Sequence, residues 1–133
     1  MILITKDIEK IDSKEAYQLN VDGSTIHKLE DLYLFLSEEL SFPDYFGNNL
    51  DALFDCLCDL PEEKCPLQLS ISNSMDFLKG ALEEDRDDLF CLLNDVQETW
   101  SQEMDPGFFT VIVEDFKESK EFFDMLFIQT DRI

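Results

Sequence analysis

Apolar residues recur in this chain at two periods, and the shorter period predicts its strands. Residues 17–21 and 67–71 alternate apolar and polar side chains, which is typical of strands with one buried face. Residues 108–113 are apolar almost without interruption and predict a central strand that is covered on both faces. The apolar run ILIT, within a lead formed by residues 1–14, predicts a further strand at an edge of the sheet.

The longer period, of three to four residues, predicts helices between and after these strands. Leucines at this spacing mark a helix over about residues 28–40, and a longer helix opens with the acidic run 83–88 and continues to about residue 100. Acidic residues at a helix start complement the helix dipole, which accounts for that run as a solvated terminus. A short helix is expected over residues 74–79 and a phenylalanine-rich helix over about residues 118–128.

The order of these elements defines a fold class. Strands that are separated by helices indicate parallel pairing through right-handed crossovers. The chain has 133 residues, which is enough for one compact domain with a hydrophobic core. We therefore expect a single α/β domain over residues 1–133, in which a small parallel sheet is flanked by helices.

The segment 41–60 reads SFPDYFGNNLDALFDCLCDL and contains the clearest helix of the sequence. Asn48 or Asn49 is the expected N-cap, because asparagine accepts hydrogen bonds from the free amides of a first turn. Pro61 ends the helix. The apolar residues recur at i, i+3, i+4 and i+7 and form the face that is expected to be buried, namely Leu50, Leu53, Phe54 and Leu57.

A second face of this helix is acidic. Asp51 and Asp55 lie one turn apart on it, with Cys58 beside them and Asp59 just beyond. Like charges at this spacing destabilise an isolated helix by about 0.2–0.5 kcal/mol. Asp51 lies in the first turn, where the dipole favours a carboxylate, whereas Asp55 lacks that compensation. Asp55 is therefore the stronger binding candidate, and Phe54, at the border of the two faces, is expected to be half-buried.

The composition supports a surface that binds a basic partner. The chain carries 31 acidic and 10 basic residues, a formal net charge of −21, while apolar residues make up 44% and include twelve phenylalanines. A chain this apolar folds and is not a disordered acidic tail. Its charge repels nucleic acids and anionic membranes and attracts cationic surfaces. We expect a basic protein partner, without direct binding to nucleic acid or membrane.

The remaining chemistry of the sequence is sparse. The apolar N-terminal run is too short for a signal peptide, and no segment approaches the length of a membrane span. We therefore expect a cytoplasmic protein without a cofactor or a metal. The cysteines lack the spacing of a zinc site and are expected to fill apolar space at Cys56, Cys58, Cys65 and Cys91.

Residues 43–57, PDYFGNNLDALFDCL, strongly resemble the signature of barstar-like proteins, which are intracellular inhibitors of ribonucleases. The order of elements over about residues 15–114 is compatible with that family's fold, a three-stranded parallel sheet flanked by helices. The resemblance implies short N- and C-terminal extensions beyond this core, with an extra helix at about 118–128. It also implies an immunity protein or antitoxin that binds a ribonuclease or a ribonuclease toxin domain.

By this resemblance, the acidic helix and the loop before it would block the substrate cleft of the nuclease. Asp55 would be the central anchor and take the place of an RNA phosphate, with Asp51 and Tyr45 beside it. Phe54 matches a position that is usually an aromatic contact, and Asp95 is the candidate acidic residue at the interface edge. The candidate partner-binding residues are Tyr45, Phe46, Gly47, Asn49, Asp51, Phe54, Asp55, Cys58, Asp59 and Asp95.

Three of these positions depart from the family pattern and leave the target open. Phe54 stands where tryptophan is typical, while Cys58 and Asp59 stand where a small polar residue is expected. A different ribonuclease or another basic toxin domain could account for them. An acidic module that masks a DNase toxin or a DNA-binding protein shares the same electrostatics.

An enzyme is the weaker alternative. Asp51 and Asp55 could act as paired carboxylates, but the sequence has no Gly-rich phosphate loop, no nucleophile elbow and only one histidine, His27. The acidic clusters at 83–88 and 114–124 lack the pattern of a calcium loop. We therefore expect a binding protein and not an enzyme.

Overall fold

The structure is a computed structural model that describes residues 1–10, 15–104 and 107–133. Residues 11–14 of the expected lead lie outside these ranges. Short 3-10 turns are found at Ile8–Lys10, Gly23–Thr25 and Glu62–Lys64. The strands and α-helices of the described residues are β1 (Ile2–Thr5), β2 (Tyr17–Asp22), α1 (Leu29–Glu39), α2 (Leu50–Leu57), β3 (Leu67–Ser72), α3 (Glu83–Glu103), β4 (Phe109–Glu114), α4 (Ser119–Met125) and β5 (Thr130–Arg132).

The strands form one parallel sheet in the order β2-β3-β4-β1-β5. The expected class, a parallel sheet flanked by helices, is confirmed, but the described residues supply five strands where the family resemblance implied three. β1 pairs with β4 on one side and with β5 on the other, so the prediction that it is an edge strand is wrong. β5 was not predicted because its sequence, TDR, is three residues long and polar and shows no apolar alternation.

The main core lies on one face of this sheet. Leu19, Leu69 and Val111 are register partners on neighbouring strands, and each is at most 3% exposed. The alternation predicted for β2 is confirmed by its burial pattern. β3 also alternates in sequence, but its place inside the sheet buries the polar positions too, and Gln68 and Ser70 are only 8% and 4% exposed.

The other three α-helices, α1, α3 and α4, lie in the expected segments. α1 and α3 begin and end close to the expected limits. α4 ends at Met125, before the expected limit of about 128, because Phe127 adopts a φ of 60° in the left-handed region. A right-handed helix cannot continue through such a residue.

Residues 74–79 form turns and not the short helix that was expected. The backbone amide of Leu78, which has a φ of 58°, donates to the oxygen of Ile26 at 2.8 Å. Gly80 likewise donates to the oxygen of His27 at 2.9 Å. These amides therefore donate to the loop before α1 and cannot form the hydrogen bonds of a helix.

α2 is held in place by its apolar face and by α3. Leu53 and Leu57 are fully buried, while Leu50 and Phe54 are partly buried against the same core. Trp100 of α3 donates from Nε1 to the backbone oxygen of Leu57 at 2.9 Å. This bond satisfies one of the carbonyl groups that every helix leaves free at its C-terminal end. The buried stripe predicted from the sequence is thus present, and the opposite face of α2 is turned outward.

Candidate functional site

The loop before α2 is shaped by a cap at the start of the helix. Asn49 is the N-cap, and its Oδ1 accepts a hydrogen bond from the amide of Ala52 at 2.8 Å. Its Nδ2 donates to the backbone oxygen of Gly47 at 3.2 Å. A Cβ atom on Gly47 would lie 2.9 Å from that Nδ2, which is too close for both groups to stay in place. Gly47 and Asn49 therefore act together to set the path of the chain into α2.

Tyr45 and Phe46 are neighbours in this loop but have opposite environments. Tyr45 is 88% exposed. Phe46 is half-buried, and its ring lies edge-on to Phe42 and Tyr33, with centroid distances of 5.1 and 5.8 Å. Aromatic pairs in this geometry stabilise a fold beyond the area they bury. Phe46 thus anchors the loop to α1, and Tyr45 is the aromatic side chain that the loop presents to solvent.

The acidic face of α2 is exposed, and no ion pair between described residues neutralises it. Asp51, Asp55 and Asp59 all have exposed side chains. The ion pairs found between described residues lie in α4 and at β5, and none involves this helix. The repulsion between neighbouring carboxylates is therefore not relieved within the described part of the chain. Three exposed carboxylates without an ion pair to any described residue form a surface that suits a cationic ligand.

Cys58 lies at the junction of α2 and α3. It is the C-cap of α2 and is half-buried, and its side chain hydrogen-bonds with that of Thr99. Burial raises the pKa of the Cys58 thiol, and the carboxylates of Glu103 and Asp55 raise it further. The thiol therefore stays protonated at neutral pH and is a poor nucleophile or metal ligand.

Asp95 is exposed on α3, one turn before Thr99. The hydroxyl group of Thr99 donates to the backbone oxygen of Asp95 at 2.9 Å. Because Thr99 also contacts Cys58, this turn of α3 adjoins the C-terminal end of α2. The structure thus places Asp95 at an exposed position of α3, one turn before the residue that adjoins the end of α2.

Two acidic residues near this surface were missed in the sequence. Glu30 of α1 and Asp85 of α3 line a depression of about 460 Å³ together with Asp51 and Tyr33. No spacing in the sequence connects the three carboxylates, because they come from three different helices. Only the packing of α1, α2 and α3 brings them to one concave surface.

Comparison with known proteins identifies the family to which this chain belongs. Residues 16–114 match the family described as Barstar (barnase inhibitor), a range that includes α2 and the loop before it. A curated relative from Bacillus subtilis (strain 168), named "Putative ribonuclease inhibitor YrdF", is 35% identical over 94 residues, which cover 71% of this chain and 94% of the relative. The chain belongs to the Barstar family. β1, α4 and β5 lie outside the matched residues.

Family membership supports a ribonuclease inhibitor role and agrees with the expectation of a binding protein. Within the described ranges, no group of three or more His, Cys, Asp or Glu side chains is arranged to hold a metal ion. A search of the same residues finds no helix that is both long and apolar enough to cross a membrane.

Proposed function

We propose that this protein is an intracellular inhibitor of a ribonuclease or a ribonuclease toxin domain, in the role of an immunity protein or antitoxin. The observation that carries the proposal is the exposed acidic face of α2, which forms no ion pair with the described residues, in a chain of the Barstar family. In this role, α2 and the loop before it occupy the substrate cleft of the nuclease and exclude RNA.

The chemistry of ribonucleases supports this use of an acidic helix. A cleft that stabilises phosphate concentrates arginine, lysine and histidine side chains. A carboxylate that enters the cleft makes charge-assisted hydrogen bonds, each of which contributes about 1.5–3 kcal/mol. Two such bonds exceed severalfold the repulsion of about 0.2–0.5 kcal/mol between carboxylates one turn apart. A surface that weakens the free helix slightly therefore strengthens the complex.

The candidate residues have different roles in this proposal. Asp55 lies in the middle of the exposed face and is the central anchor, where it takes the place of an RNA phosphate. Asp51 and Tyr45 flank it, and Asp95 binds at the edge of the interface. The half-buried Phe54 contributes the exposed part of its ring.

Four further candidates support this surface in other ways. Gly47 and Asn49 set the loop path, and Phe46 fixes the loop to α1. Cys58 and Asp59 close the C-terminal end of the surface. A loop that is held in its binding shape loses less conformational entropy when the complex forms.

A capture experiment tests the proposal. The tagged full-length chain is used to isolate a partner from the native host, and the partner is assayed for RNA and DNA cleavage with and without the inhibitor. We expect a basic ribonuclease whose activity is lost at a stoichiometric amount of inhibitor. Capture of a DNase, or of a DNA-binding protein without nuclease activity, would show that the target is a basic protein other than a ribonuclease.

A further inference from the structure

A cavity of about 400 Å³ lies between the start of α3 and the C-terminal end of α4. This volume falls within the range of about 300–1,000 Å³ that is usual for pockets that bind small molecules. We call it the Arg86 cavity, after the one cation that lines it. Its lining residues are Glu83, Arg86, Asp87, Phe122, Met125 and Leu126.

Arg86 lacks the partner that a buried cation usually has. The residue is half-buried, and its Nε and Nη2 atoms are buried without a hydrogen-bond partner in the described part of the chain. Neither ion pair found between described residues includes it. Burial lowers the pKa of the Arg86 guanidinium and the carboxylate of Asp87 opposes this shift, but an arginine stays charged in either case. Buried charges in proteins are normally paired, so this one is an exception.

The aromatic rings around Arg86 compensate the charge only in part. The centre of the guanidinium lies 4.7 Å from the ring centroid of Phe122 and 5.2 Å from that of Phe116. A cation over an aromatic face is attracted to the ring, but the attraction is weaker than a charge-assisted hydrogen bond to a carboxylate. The rings therefore hold the side chain in place and leave the guanidinium able to bind an anion.

The wall opposite the guanidinium is apolar and open to solvent. Phe122 and Leu126 are half-buried, and Met125 is 81% exposed. An exposed methionine is flexible and polarisable, which suits it to cover apolar ligands of different shapes. The cavity thus places a cation beside an apolar surface.

Two carboxylates of the cavity limit the charge that a ligand can carry. Glu83 is exposed and Asp87 is half-buried, and both line the cavity with Arg86. The whole chain adds a formal net charge of −21. A ligand with two or more negative charges would be repelled by these groups more strongly than one guanidinium attracts it. A single carboxylate meets less repulsion, and burial of an apolar body adds to its affinity.

We propose that the Arg86 cavity binds a small organic monocarboxylate with an apolar body. The carboxylate accepts charge-assisted hydrogen bonds from the guanidinium of Arg86, for which the planar donor fork of arginine is well suited. The apolar body packs against Phe122, Met125 and Leu126. The ligand thus neutralises the unpaired cation and covers the exposed methionine.

This site is separate from the surface proposed to bind a nuclease. No residue of α2 lines the cavity, and the wall formed by α4 lies outside residues 16–114, which match the Barstar family. The inference therefore does not rest on the proposed function, and either can fail without the other.

A titration with matched small molecules tests the site. 3-phenylpropionate is added to the full-length chain at neutral pH, and side-chain and backbone signals are followed by NMR. We expect saturable shifts at residues 86, 122, 125 and 126. The neutral analogue 3-phenylpropanamide, acetate, which lacks the apolar body, and the dianion 2-phenylethyl phosphate should each bind at least tenfold more weakly. Equal affinity for the amide, tighter binding of the phosphate, or shifts that do not saturate would overturn the proposal.

Removal of the cation locates the binding. Arg86→Gln should weaken binding of 3-phenylpropionate at least tenfold. The control is Lys120→Gln, which removes a cation from an exposed position of α4 outside the cavity and should change the affinity less than twofold. Thermal melting shows whether each variant is folded. Equal losses in the two variants would mean that any surface cation serves, and would overturn the site.

A second pair of variants tests the site even if Arg86→Gln does not fold. Glu83→Gln removes an opposing charge from an exposed position of the cavity and should tighten binding of 3-phenylpropionate two- to threefold. Glu84→Gln removes the same charge from the next residue, which is exposed and does not line the cavity, and should have less than half this effect. Equal effects of the two substitutions, or none in Glu83→Gln, would contradict recognition of the carboxylate in this cavity.

Discussion

The acidic face of α2 differs from the C-terminal region, Asp115 to Arg132, in whether its carboxylates have cationic partners. On α2, carboxylates are exposed without a counter-charge among the described residues. In the C-terminal region, Asp115 and Asp124 have cationic partners on the same molecule. These ion pairs are Lys120–Asp124 at 2.7 Å and Arg132–Asp115 at 2.8 Å.

The ion pairs between described residues therefore lie away from the acidic helix, and a further cation, Arg86, packs on aromatic rings. Arg86, at the start of α3, lies over the rings of Phe122 and Phe116 at 4.7 and 5.2 Å. Its Nε and Nη2 atoms are buried and have no hydrogen-bond partner among the described residues. Binding surfaces keep free charges for a partner, whereas structural regions satisfy theirs internally. On this basis we expect α2 to control affinity and the C-terminal region to control stability.

The largest expected effect is on stability, from Phe123→Ala. Phe123 is fully buried, with ring centroids 5.1 Å from Phe122 and 5.2 Å from Phe90. The substitution should lower the free energy of unfolding by about 3–5 kcal/mol, measured by chemical denaturation. Phe127→Ala is the matched control, since Phe127 is 94% exposed and should change stability by less than about 0.5 kcal/mol. A loss of nuclease affinity in the exposed variant Phe127→Ala would place an interface in the C-terminal region.

The next effect is on affinity, from Asp55→Ala. Removing a central charged anchor should weaken nuclease binding about thirtyfold or more, while the melting temperature is nearly unchanged. Calorimetric titration and thermal denaturation give the two quantities. Asp124→Ala also removes a helical carboxylate but lies outside the proposed surface, so its affinity should match that of the unmodified chain. Equal losses of affinity and stability in Asp55→Ala would contradict a dedicated contact role.

The net charge of −21 predicts a salt effect on the rate of association. We expect the association rate constant to fall about tenfold between about 20 and 150 mM salt, while dissociation changes less. Stopped-flow mixing with the captured nuclease measures both rates. An association rate constant that does not depend on salt would contradict electrostatic acceleration of binding and leave the inhibitor function intact.

A smaller effect is expected from loss of the helix cap. Asn49→Ala removes the acceptor for the amide of Ala52 and should lower the free energy of unfolding by about 1 kcal/mol. Affinity should fall as well, because the loop through Gly47 loses its hydrogen bond to Asn49. Asn49→Asp retains a capping oxygen and should recover most of the stability. If the alanine variant is as stable as the unmodified chain, the cap does not hold the helix start.

The smallest effect is the pH dependence contributed by Asp115. Hydrogen bonds from Arg132 and Ser119 hold the pKa of this carboxyl below its usual range. A lowered pKa in the folded state means that the stabilisation is complete above the unfolded value of about 4 and is lost as the pH falls through the folded value. Asp115→Asn should cost less than about 1 kcal/mol at pH 7 and flatten the stability curve below about pH 4. Denaturation curves that stay parallel from pH 3 to 7 would contradict this.

The spacing of apolar residues was sufficient to predict the core positions of elements that bury only one face. Leu53 and Leu57 were expected in the core from spacing alone, and both are fully buried. Asn49 was one of two candidate caps, and the hydrogen bond to Ala52 selects it over Asn48. Local rules of this kind need only neighbours along the chain.

Features that depend on distant partners could not be predicted. The edge position expected for β1 was wrong because β5, a polar strand of three residues, pairs with it. The turns at 74–79 form because amides there bond to the loop before α1. The acidic depression needs Glu30 and Asp85 on different helices. In each case the deciding contact joins segments far apart in sequence.

The hydrogen bond between Trp100 and Leu57 has an optical consequence. Trp100 is the single tryptophan of the chain, and its indole touches the end of α2 on one side and stacks near Phe108, 4.8 Å away, on the other. Its fluorescence is therefore a built-in reporter for the junction of α2 and α3. Emission from this one indole can follow unfolding and docking of the helix in real time, without a dye or an added label.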